Sequence, residues 1–546
     1  MHLRLAFTVA ALGLALVAAR APARADDAQV ATEIHALVSD PGGDSLASPM
    51  ARFYAARAFA PVWVGHPQLI AALTDVLAGA SLQGLDERIG KSLPAGGAAA
   101  RDVALTRAAL DYAEALAVGR VQPSQIEADW AIPAPEFDAA AGLATALNRG
   151  LAGWYAGLAP HHPAYERLKA GLAQYRKIAE SGGWVQVPRG DPLKLGTADP
   201  RVRVLRKRLA AEGDLALPPP AADGAVPEAS AGSPLHRIST ADTVPGTAPA
   251  PEANTAPDPA DIYDAPVEAA VRRFQTRHGI AVDGAVGPRT LAAMNVPVRA
   301  RIQQIELNLE RWRSLPHELG TDFMLVNVPA ERLDVVEHGM PVIGMKVVVG
   351  DTAHPTPVVR TMMVALTLNP TWTIPASIVK KELMPKTKRD PGYLAKNDIV
   401  FTSGRGWQQM PGPKNPLGHL KFESPNRFDV YLHDTPSRVA FDRYFRAQSH
   451  GCVRLERADE LAGFVLRGTE WNPAQLAAAV ATGENRRIDL KRRWRVYILY
   501  ATSFVDDGGN VEFRDDLYGR DARLRDALGA QKGHRESQKQ ARLGRL

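Results

Sequence analysis

The chain has 546 residues, of which 46% are hydrophobic and 23% charged, so it has the composition of a soluble globular protein with about three or four domains. The formal net charge is +6 at pH 7, and the basic residues do not alternate with base-stacking or groove-reading groups, which argues against nucleic-acid binding. The single cysteine excludes an intramolecular disulfide bond.

The first 25 residues are typical of a secretory signal peptide. Arg4 supplies a positive charge, residues 5–19 are almost wholly apolar, and Ala23 and Ala25 offer the small side chains that a signal peptidase recognises. The apolar run is short for a transmembrane helix, so we expect cleavage and export to the periplasm, with an uncleaved inner-membrane anchor as the alternative. Residues 1–25 contain three arginines and no acid, so the mature chain is expected to carry about +3.

Residues 26–186 are predicted to form an α-helical scaffold domain. Alanine and leucine dominate this region, and apolar residues recur at helical spacing in residues 69–77 and 103–118. Clusters of glycine and proline separate the helical segments. The region contains no pattern of residues that predicts catalysis or zinc binding.

Residues 187–297 form a second predicted unit, which an insertion interrupts. A helical segment at residues 200–212 comes before residues 218–260, which are rich in Pro, Ala, Gly, Ser and Thr. This composition offers little apolar area to bury, so the insertion is predicted to be disordered. A helix then resumes and ends at Gly279, a turn follows, and a short helix begins at Pro288.

The second half of this unit, AVRRFQTRHGIAVDGAVGPRTLAAMN at residues 270–295, resembles the peptidoglycan-binding-like helical module. In that module a helix ending in Phe-Gln is followed by Asp-Gly, then Gly, then Thr-Leu. The resemblance implies the fold more firmly than it implies a binding site. A helical spacer without a ligand is therefore the alternative.

The remaining chain is predicted to contain a linking helix, a β-rich domain and a tail. Residues 298–318 have the apolar stripe of a helix. Residues 319–523 contain short runs rich in β-branched residues, separated by turn signals, which predict a mainly β domain. Residues 524–546 are predicted to be a disordered basic tail.

The only cysteine, Cys452, lies among residues that suit a nucleophile. A thiol needs a base or a cation to become a thiolate, and histidine is the usual one. His450 lies two residues before Cys452, and His433 lies 19 residues before it, at the end of a predicted strand. Gly451 allows the backbone to approach a substrate closely. From these residues alone, either histidine is a candidate base.

The segment SHGCVRL at residues 449–455, together with LHDTP at 432–436, resembles the signature of L,D-transpeptidases with a YkuD-type catalytic domain. Four further segments are similar to the large multidomain L,D-transpeptidases of Gram-negative bacteria, among them LMPKTKRDPGYL (383–394). The other three are LNPTWTIP (368–375), PGPKNPLGHLKFESPN (411–426) and FRDDLYGRD (513–521). The resemblance implies a multidomain protein in which α-helical N-terminal scaffold and peptidoglycan-binding-like domains precede a mainly β (α+β) catalytic domain. It also implies a helical lid at about residues 376–422.

The resemblance assigns roles within the signature. Cys452 is the implied nucleophile and His433 the implied general base. The main-chain N–H groups of Gly451 and Cys452 are expected to form the oxyanion hole. Ser449 and His450 are expected to shape the catalytic loop and to contact substrate, and a purely structural role is equally open for Ser449.

One position departs from the commoner family motif, which has asparagine where this chain has Arg454. We expect Arg454 to pair with a substrate carboxylate, and a structural ion pair with Glu456 or Asp459 is the alternative. Trp372 and Tyr431 are also expected to contact the substrate, although Trp372 could equally be a core residue.

The implied activity is the formation of 3→3 peptidoglycan cross-links through a thioester on Cys452, in cell wall biogenesis. The donor would be a tetrapeptide stem and the acceptor the side-chain amine of a diamino acid in a second stem. The resemblance implies no metal or organic cofactor, and it implies inhibition by carbapenem-type β-lactams. The alternatives are an L,D-carboxypeptidase, attachment of a protein to peptidoglycan by the same acyl-enzyme, and a non-catalytic wall-binding scaffold.

Overall fold

The computed structural model describes residues 25–39, 48–86, 96–216 and 258–530. The predicted signal sequence up to residue 24, most of the predicted insertion and the tail beyond residue 530 lie outside these residues. Within the described ranges, no helix combines the length and the apolar character needed to cross a membrane.

The N-terminal region is helical, as predicted. Several of its helices begin at proline, and Asp138 caps another by accepting hydrogen bonds from the N–H groups of Ala140 and Ala141. In chain order the helices are α1 (Ala25–Ser39), α2 (Pro49–Ala55), α3 (Pro67–Ala78), α4 (Ala98–Ala117), α5 (Pro123–Ile126), α6 (Ala139–Arg149), α7 (Leu151–Ala156) and α8 (Pro163–Glu180).

The described chain divides into two compact units. The first contains the described residues up to Ala117 together with Glu136–Ala159. Its core holds the buried carboxylate of Asp102, which accepts hydrogen bonds from the Tyr54 hydroxyl at 2.7 Å and from the Trp63 N–H at 2.7 Å.

The second unit contains Val118–Pro135 and the described residues from Pro160 onward. The predicted scaffold domain of residues 26–186 is therefore divided between the two units, because α8 buries its apolar face, with Leu168, Leu172 and Tyr175, in the second one. Helical periodicity reveals such a face but does not say which partner covers it.

Residues 187–294 share one apolar core, as expected for the predicted module. Its helices are α9 (Arg201–Ala211), α10 (Ala265–Arg277) and α11 (Pro288–Met294). The predicted insertion extends too far at its C-terminal end, because residues 259–261 form a 3-10 turn that the Asp258 side chain caps. The predicted linking helix is α12 (Val298–Arg313), which is packed rather than free, with Ile305 and Leu309 fully buried.

The C-terminal domain is mainly β, as predicted. The strands of the described chain are β1 (Trp130–Ala131), β2 (Phe323–Asn327), β3 (Arg332–Glu337), β4 (Met340–Gly350), β5 (Val358–Leu368), β6 (Trp372–Thr373), β7 (Ile399–Thr402), β8 (Gly406–Gln409), β9 (Leu420–Glu423), β10 (Leu432–His433), β11 (Ala447–Ser449), β12 (Val453–Leu455), β13 (Arg486–Leu499), β14 (Ser503–Val505) and β15 (Val511–Phe513). Its helices are α13 (Ala376–Ile378), α14 (Met384–Arg389), α15 (Tyr393–Lys396), α16 (Ala458–Val465), α17 (Pro473–Ala481) and α18 (residues 520–530).

The main sheet closes on itself. Its strands follow the order β5-β13-β2-β3-β4-β12-β10-β9, and β9 pairs back to β5. Closure leaves no free edge within this ring. The buried residues of the strands, such as Phe422, Leu432 and Val453, form the core of the domain.

The predicted lid at residues 376–422 is only partly helical. It contains α13, a π-helix at Val379–Leu383, α14 and α15, but also β7 and β8, which form a small sheet with β6. Its last predicted residues, 420–422, belong to β9 of the main sheet. The lid has its own apolar cluster around Ile374, Leu383 and Ile399.

The predicted basic tail at residues 524–546 begins too early, because α18 extends to residue 530. Leu524 is buried against Val121 and Leu307. The neighbouring Arg523 pairs with Glu127 at 2.8 Å. The basic residues beyond residue 530, on which the prediction of a tail was based, lie outside the described residues.

Candidate active site

Three polar side chains of the main sheet lie side by side on neighbouring strands. His433 of β10 is in register with Lys421 of β9 and with Arg454 of β12. Residues in register on adjacent strands share a face of the sheet. The alternate residues Phe422 and Leu432 belong to the core, so the sheet presents Lys421, His433 and Arg454 together on its other face.

Cys452 lies directly before β12, at the end of this row. Its Sγ is 3.8 Å from the backbone oxygen of Asp429, and the residue keeps part of its surface accessible to solvent. Burial by the surrounding atoms raises the pKa of the Cys452 thiol, although hydrogen bonding from Tyr431 and the positive charges of Lys421 and Arg454 act in the opposite direction. The resting group is therefore a thiol rather than a thiolate at neutral pH.

His433 is buried and has a defined tautomer. Its Nδ1 is 2.5 Å from the backbone oxygen of Asp434. A carbonyl oxygen only accepts hydrogen bonds, so Nδ1 carries the proton and Nε2 has a free lone pair. Burial and the nearby charge of Arg454 lower the pKa of His433 to about 3. The imidazole is thus neutral at neutral pH, the form that a general base requires.

The loop before Cys452 is held by Ser449. The Ser449 hydroxyl donates to the Cys452 carbonyl oxygen at 2.6 Å and accepts from the Gly451 N–H at 3.1 Å. In this conformation the Gly451 N–H already has an acceptor, and its expected role as an oxyanion donor stays a prediction. The Cys452 N–H has no hydrogen-bond partner within the described ranges, so it is the available donor.

Gly451 has a conformational role at this point. Its φ of 109° lies in a region that residues with a side chain rarely adopt. Its carbonyl oxygen accepts a hydrogen bond from the Thr356 hydroxyl at 2.9 Å. The glycine thereby turns the chain so that Cys452 follows at the start of β12.

His450 faces the lid. Its Nε2 is 2.8 Å from the Glu382 carboxylate, which lies on the π-helix of the lid, and its ring is 4.5 Å from that of His354. Because Nε2 already has this partner, His450 is less suited than His433 to accept a proton from the thiol. The geometry therefore distinguishes two histidines that the sequence left equivalent.

Arg454 has no acidic partner among the described residues. Its Nε is buried without a hydrogen bond, and burial lowers the pKa of its guanidinium. The alternative of a structural ion pair with Glu456 or Asp459 is not what the structure shows, since Glu456 pairs with Arg457 at 2.8 Å. Arg454 is an unpaired cation beside the thiol.

The two predicted aromatic contacts lie in different places. The Tyr431 ring is 5.8 Å from that of His433, and burial together with the neighbouring Cys452 raises the pKa of its phenol. Trp372 instead packs against the apolar cluster of the lid. The structure thus places Tyr431 at the thiol and Trp372 on β6, packed against the lid.

Sequence reasoning missed several residues that shape this site. Besides its bond to Gly451, the fully buried Thr356 hydroxyl accepts from the Gly350 N–H at 2.8 Å. The Tyr518 hydroxyl donates to the Gly350 carbonyl oxygen at 2.6 Å. Lys421 was also overlooked, although an isolated lysine between apolar residues of a strand was a usable signal. Thr356 and Tyr518 gave no local signal, because their partners are distant in sequence.

One group in the described chain has spacing compatible with a metal ion, namely Asp322, Glu337 and His338. Its carboxylates already have cationic partners. Arg492 lies 2.9 Å from Asp322 and 2.8 Å from Glu337, and Arg467 lies 2.8 Å from Glu337. This group is accordingly a network of ion pairs, and it does not include the thiol.

Three segments match known family models. Residues 48–172 match a model described as "Scaffold domain". Residues 253–294 match "Putative peptidoglycan binding domain", and residues 321–476 match "L,D-transpeptidase catalytic domain", of the YkuD family.

A curated protein of Haemophilus influenzae, "Putative L,D-transpeptidase", is 28% identical over 244 residues, which cover 41% of this chain and 49% of that protein. The chain thus spans about half the length of this curated relative.

Two solved structures show how distant the structural likeness is. An L,D-transpeptidase from Mycobacterium smegmatis is 14% identical, with 33% of this chain and 58% of that chain covered and a TM-score of 0.19. An L,D-transpeptidase from Xylanimonas cellulosilytica is 15% identical, with 57% and 99% covered and a TM-score of 0.18. Residues 321–476 are an L,D-transpeptidase catalytic domain of the YkuD family, in a chain that also contains a peptidoglycan-binding domain.

Proposed function

We propose that this protein is an L,D-transpeptidase that forms 3→3 cross-links between peptidoglycan stem peptides through a thioester on Cys452. The observation that carries the proposal is the pairing of β10 with β12, which brings a neutral, tautomer-fixed His433 to the strand beside the single accessible thiol. The family of the catalytic domain supplies the substrate class.

In the first step, His433 Nε2 accepts the thiol proton as Cys452 Sγ attacks the carbonyl carbon of the third residue of a tetrapeptide stem. The C–S bond forms, the amide C–N bond breaks, and His433 returns the proton to the departing amine of D-alanine. The negative charge on the carbonyl oxygen would be stabilised by the free N–H of Cys452. The product is a thioester, and His433 is neutral again.

In the second step, the side-chain amine of a diamino acid in another stem attacks the thioester. The C–N bond forms, the C–S bond breaks, and the proton lost by the amine reaches Cys452 sulfur through His433. Water competes with the amine at this stage. The lid, which contacts the catalytic loop through Glu382 and His450, is positioned to limit that competition.

Arg454 and Tyr431 are the proposed substrate contacts. The unpaired guanidinium of Arg454 suits a carboxylate of the donor stem. The Tyr431 phenol hydrogen-bonds with Cys452, and the Nζ of Lys421 is 4.2 Å from the centre of the Tyr431 ring. Substrate contacts by Trp372 and Ser449 stay predictions, and so does export to the periplasm.

The product analysis that tests the proposal uses purified tetrapeptide stems. We expect release of D-alanine together with a cross-linked dimer, and loss of both in Cys452→Ala. D-alanine release without a dimer would instead indicate the L,D-carboxypeptidase, and an adduct with an added protein would indicate protein attachment. If Cys452→Ala retained full activity, the proposal would be wrong.

A second experiment locates the nucleophile and separates the two histidines. Intact-mass analysis with a carbapenem is expected to show one adduct on Cys452 and none in Cys452→Ala. His433→Gln should slow acylation about 100- to 10,000-fold, as for a lost general base, whereas the matched variant His450→Gln should keep most of the rate. A larger effect at His450 would assign the base to that residue and reject His433.

A further inference from the structure

Lys421 of β9 carries a positive charge on the face of the sheet that holds the thiol. It is in register with His433 of β10 on one side and with Thr367 of β5 on the other. The residues before and after it, Leu420 and Phe422, are fully buried in the core, so the lysine points to the opposite face. Only 22% of its side chain is exposed, which is low for a lysine. The side chain is therefore held within the site rather than extended into solvent.

Two contacts fix the position of the Lys421 ammonium group. Its Nζ is 3.0 Å from the Glu423 carboxylate, which lies two residues further along the same strand and therefore on the same face. The Thr367 hydroxyl donates to that carboxylate at 2.8 Å and holds it in place. The same Nζ lies 4.2 Å from the centre of the Tyr431 ring. A cation within about 6 Å of an aromatic ring centre is attracted to the ring face, so Lys421 constrains the orientation of Tyr431.

Tyr431 connects this arrangement to the thiol. Its phenol hydrogen-bonds with Cys452, and its backbone oxygen accepts from the N–H of Val453 at 3.1 Å. Burial raises the pKa of the phenol, so the hydroxyl keeps its proton and can donate to the sulfur. This donation stabilises the thiolate more than the thiol, because a hydrogen bond to an ionised acceptor is the stronger one. The reactivity of Cys452 therefore depends on where the Tyr431 ring is held.

The other charged and titratable groups near the thiol differ from Lys421 in what they contact. The groups that face Tyr431 and the thiol in the described chain include His433, Arg454, Asp429 and Glu423. The guanidinium of Arg454 is a positive charge without an acidic partner among the described residues, whereas Glu423 offsets much of the charge of Lys421. The contact with the Tyr431 ring therefore distinguishes Lys421, and its effect is on the phenol rather than on net charge.

We propose that Lys421 is a positioning residue for the thiol chemistry: its ammonium group, fixed by Glu423 against the Tyr431 ring, holds the phenol in contact with Cys452. Lys421 acts through Tyr431 and makes no bond with the reacting atoms. The consequence for turnover rests on the proposed role of Cys452 as nucleophile. The effect on the thiol is measurable without a wall substrate, so a failure of the proposed function and a failure of the Lys421 proposal are distinguishable.

The experiment follows alkylation of Cys452 by iodoacetamide in the full chain, with intact mass as the readout, because the chain has no second cysteine. On the rising part of the pH profile, Lys421→Met should react about three- to tenfold more slowly than wild type, and its profile should move to higher pH. The reason is that loss of the cation frees the phenol, and the thiolate then loses a hydrogen-bond donor. Lys421→Arg keeps a cation that can pair with Glu423 and stack on the ring, so it should react at close to the wild-type rate.

A double substitution tests the route through Tyr431. Tyr431→Phe should slow alkylation by itself, because it removes the phenol. In that background Lys421→Met should change the rate by less than about twofold, since no phenol is left to position. If the losses from the two substitutions multiplied in full, Lys421 would act only by its charge, and the proposal would be overturned.

The control separates the positioning role from a general effect on the fold. Lys346 of β4 is a lysine of the same sheet whose Nζ lies 3.9 Å from Glu456, and Lys346→Met should leave the pH profile in place. Thermal unfolding of each variant reports on folding, and Lys421→Gln, which can still donate to Glu423, serves if Lys421→Met does not fold. An unchanged rate in folded Lys421→Met or Lys421→Gln, or an equal loss in Lys346→Met, would also overturn the proposal.

Discussion

At the scale of single residues, the thiol and the imidazole have pKa shifts that set a pH dependence. Burial raises the pKa of Cys452, and burial lowers the pKa of His433 to about 3. Neither group therefore changes charge between pH 4 and the ordinary thiol range, near pH 8.5. This pattern differs from a preformed thiolate–imidazolium pair, which requires the opposite shifts.

We predict that alkylation of Cys452 by iodoacetamide becomes faster with increasing pH across the neutral range. Below the thiol pKa the thiolate fraction increases about tenfold per pH unit, and no step from His433 is expected above about pH 4. The rate can be followed by intact mass, with free N-acetylcysteine as the reference. A plateau that begins below pH 7 would show that the thiolate is already formed and would contradict the prediction.

Arg454 gives a prediction about substrate recognition. Removal of its guanidinium in Arg454→Met should raise KM for a donor stem with free carboxylates by about 10- to 100-fold. The reason is that a hydrogen bond to a charged group contributes about 1.5–3 kcal/mol. Arg454→Lys, which keeps the positive charge, should raise KM less than Arg454→Met does. The kinetic comparison with an amidated donor is the control, because Arg454→Met should lose its preference for the free carboxylate. Equal effects on both donors would indicate a structural role.

At this scale the sequence was sufficient to propose the reacting groups, but not to predict the hydrogen-bond partners of each group. Cys452, His433 and the glycine before the thiol could be identified because the signature places them close together in the chain. The occupied Gly451 N–H and the Glu382 contact of His450 could not, because they depend on rotamers and on a lid some seventy residues away. The isolation of Arg454 likewise became visible only when Glu456 was found with Arg457.

At the scale of elements, the lid contacts the catalytic loop through one π-helix. Glu382 lies 2.8 Å from His450 and 3.2 Å from Lys386 on the next helical turn. Short π-helical segments are rare and occur often at functional sites. The contact joins a lid residue directly to the loop that carries Cys452.

We predict that Glu382→Gln loosens the lid and increases hydrolysis of the thioester relative to transfer. Loss of the charge weakens the bond to His450, and water then reaches the thioester more easily. The ratio of hydrolysed tripeptide to cross-linked dimer measures the effect. Lys386→Met is the matched control, since it removes the other partner of Glu382 and leaves the His450 contact. An unchanged ratio in Glu382→Gln would show that this contact does not control water access.

Sequence patterns predicted whether most segments are helices or strands better than they predicted the residues at which these elements begin and end. The helical module and the β-rich domain were predicted correctly, because each has a sustained periodicity. The small sheet in the lid was missed because β7 and β8 have four residues each, and charged residues surround them. Part of the helix at residues 520–530 was predicted to be tail because Glu127, the partner of its neighbour Arg523, lies 396 residues away in sequence.

At the scale of the whole molecule, the β14–β15 hairpin joins the parts of the second compact unit. The Phe513 ring contacts Tyr175 of α8 at 5.3 Å between ring centres, and it also contacts His278 of the module and Arg301 of α12. Arg277 of the module donates to the Val511 carbonyl oxygen at 2.9 Å. These contacts couple the module to the catalytic domain.

We therefore predict that Phe513→Ala destabilises the module and the catalytic domain together. The side chain is 1% exposed, and truncation of a buried phenylalanine lowers the free energy of unfolding by about 3–5 kcal/mol. Calorimetry should show one transition of this unit moving to lower temperature, with proteolysis reporting exposure of both segments at the same temperature. Phe401→Ala, which truncates a phenylalanine that is 65% exposed, is the control and should leave the transition in place. Phe513→Ala could instead split the transition and leave the unfolding temperature of the catalytic domain unchanged. In that case the hairpin would be only a local contact, and the module and the catalytic domain would unfold independently.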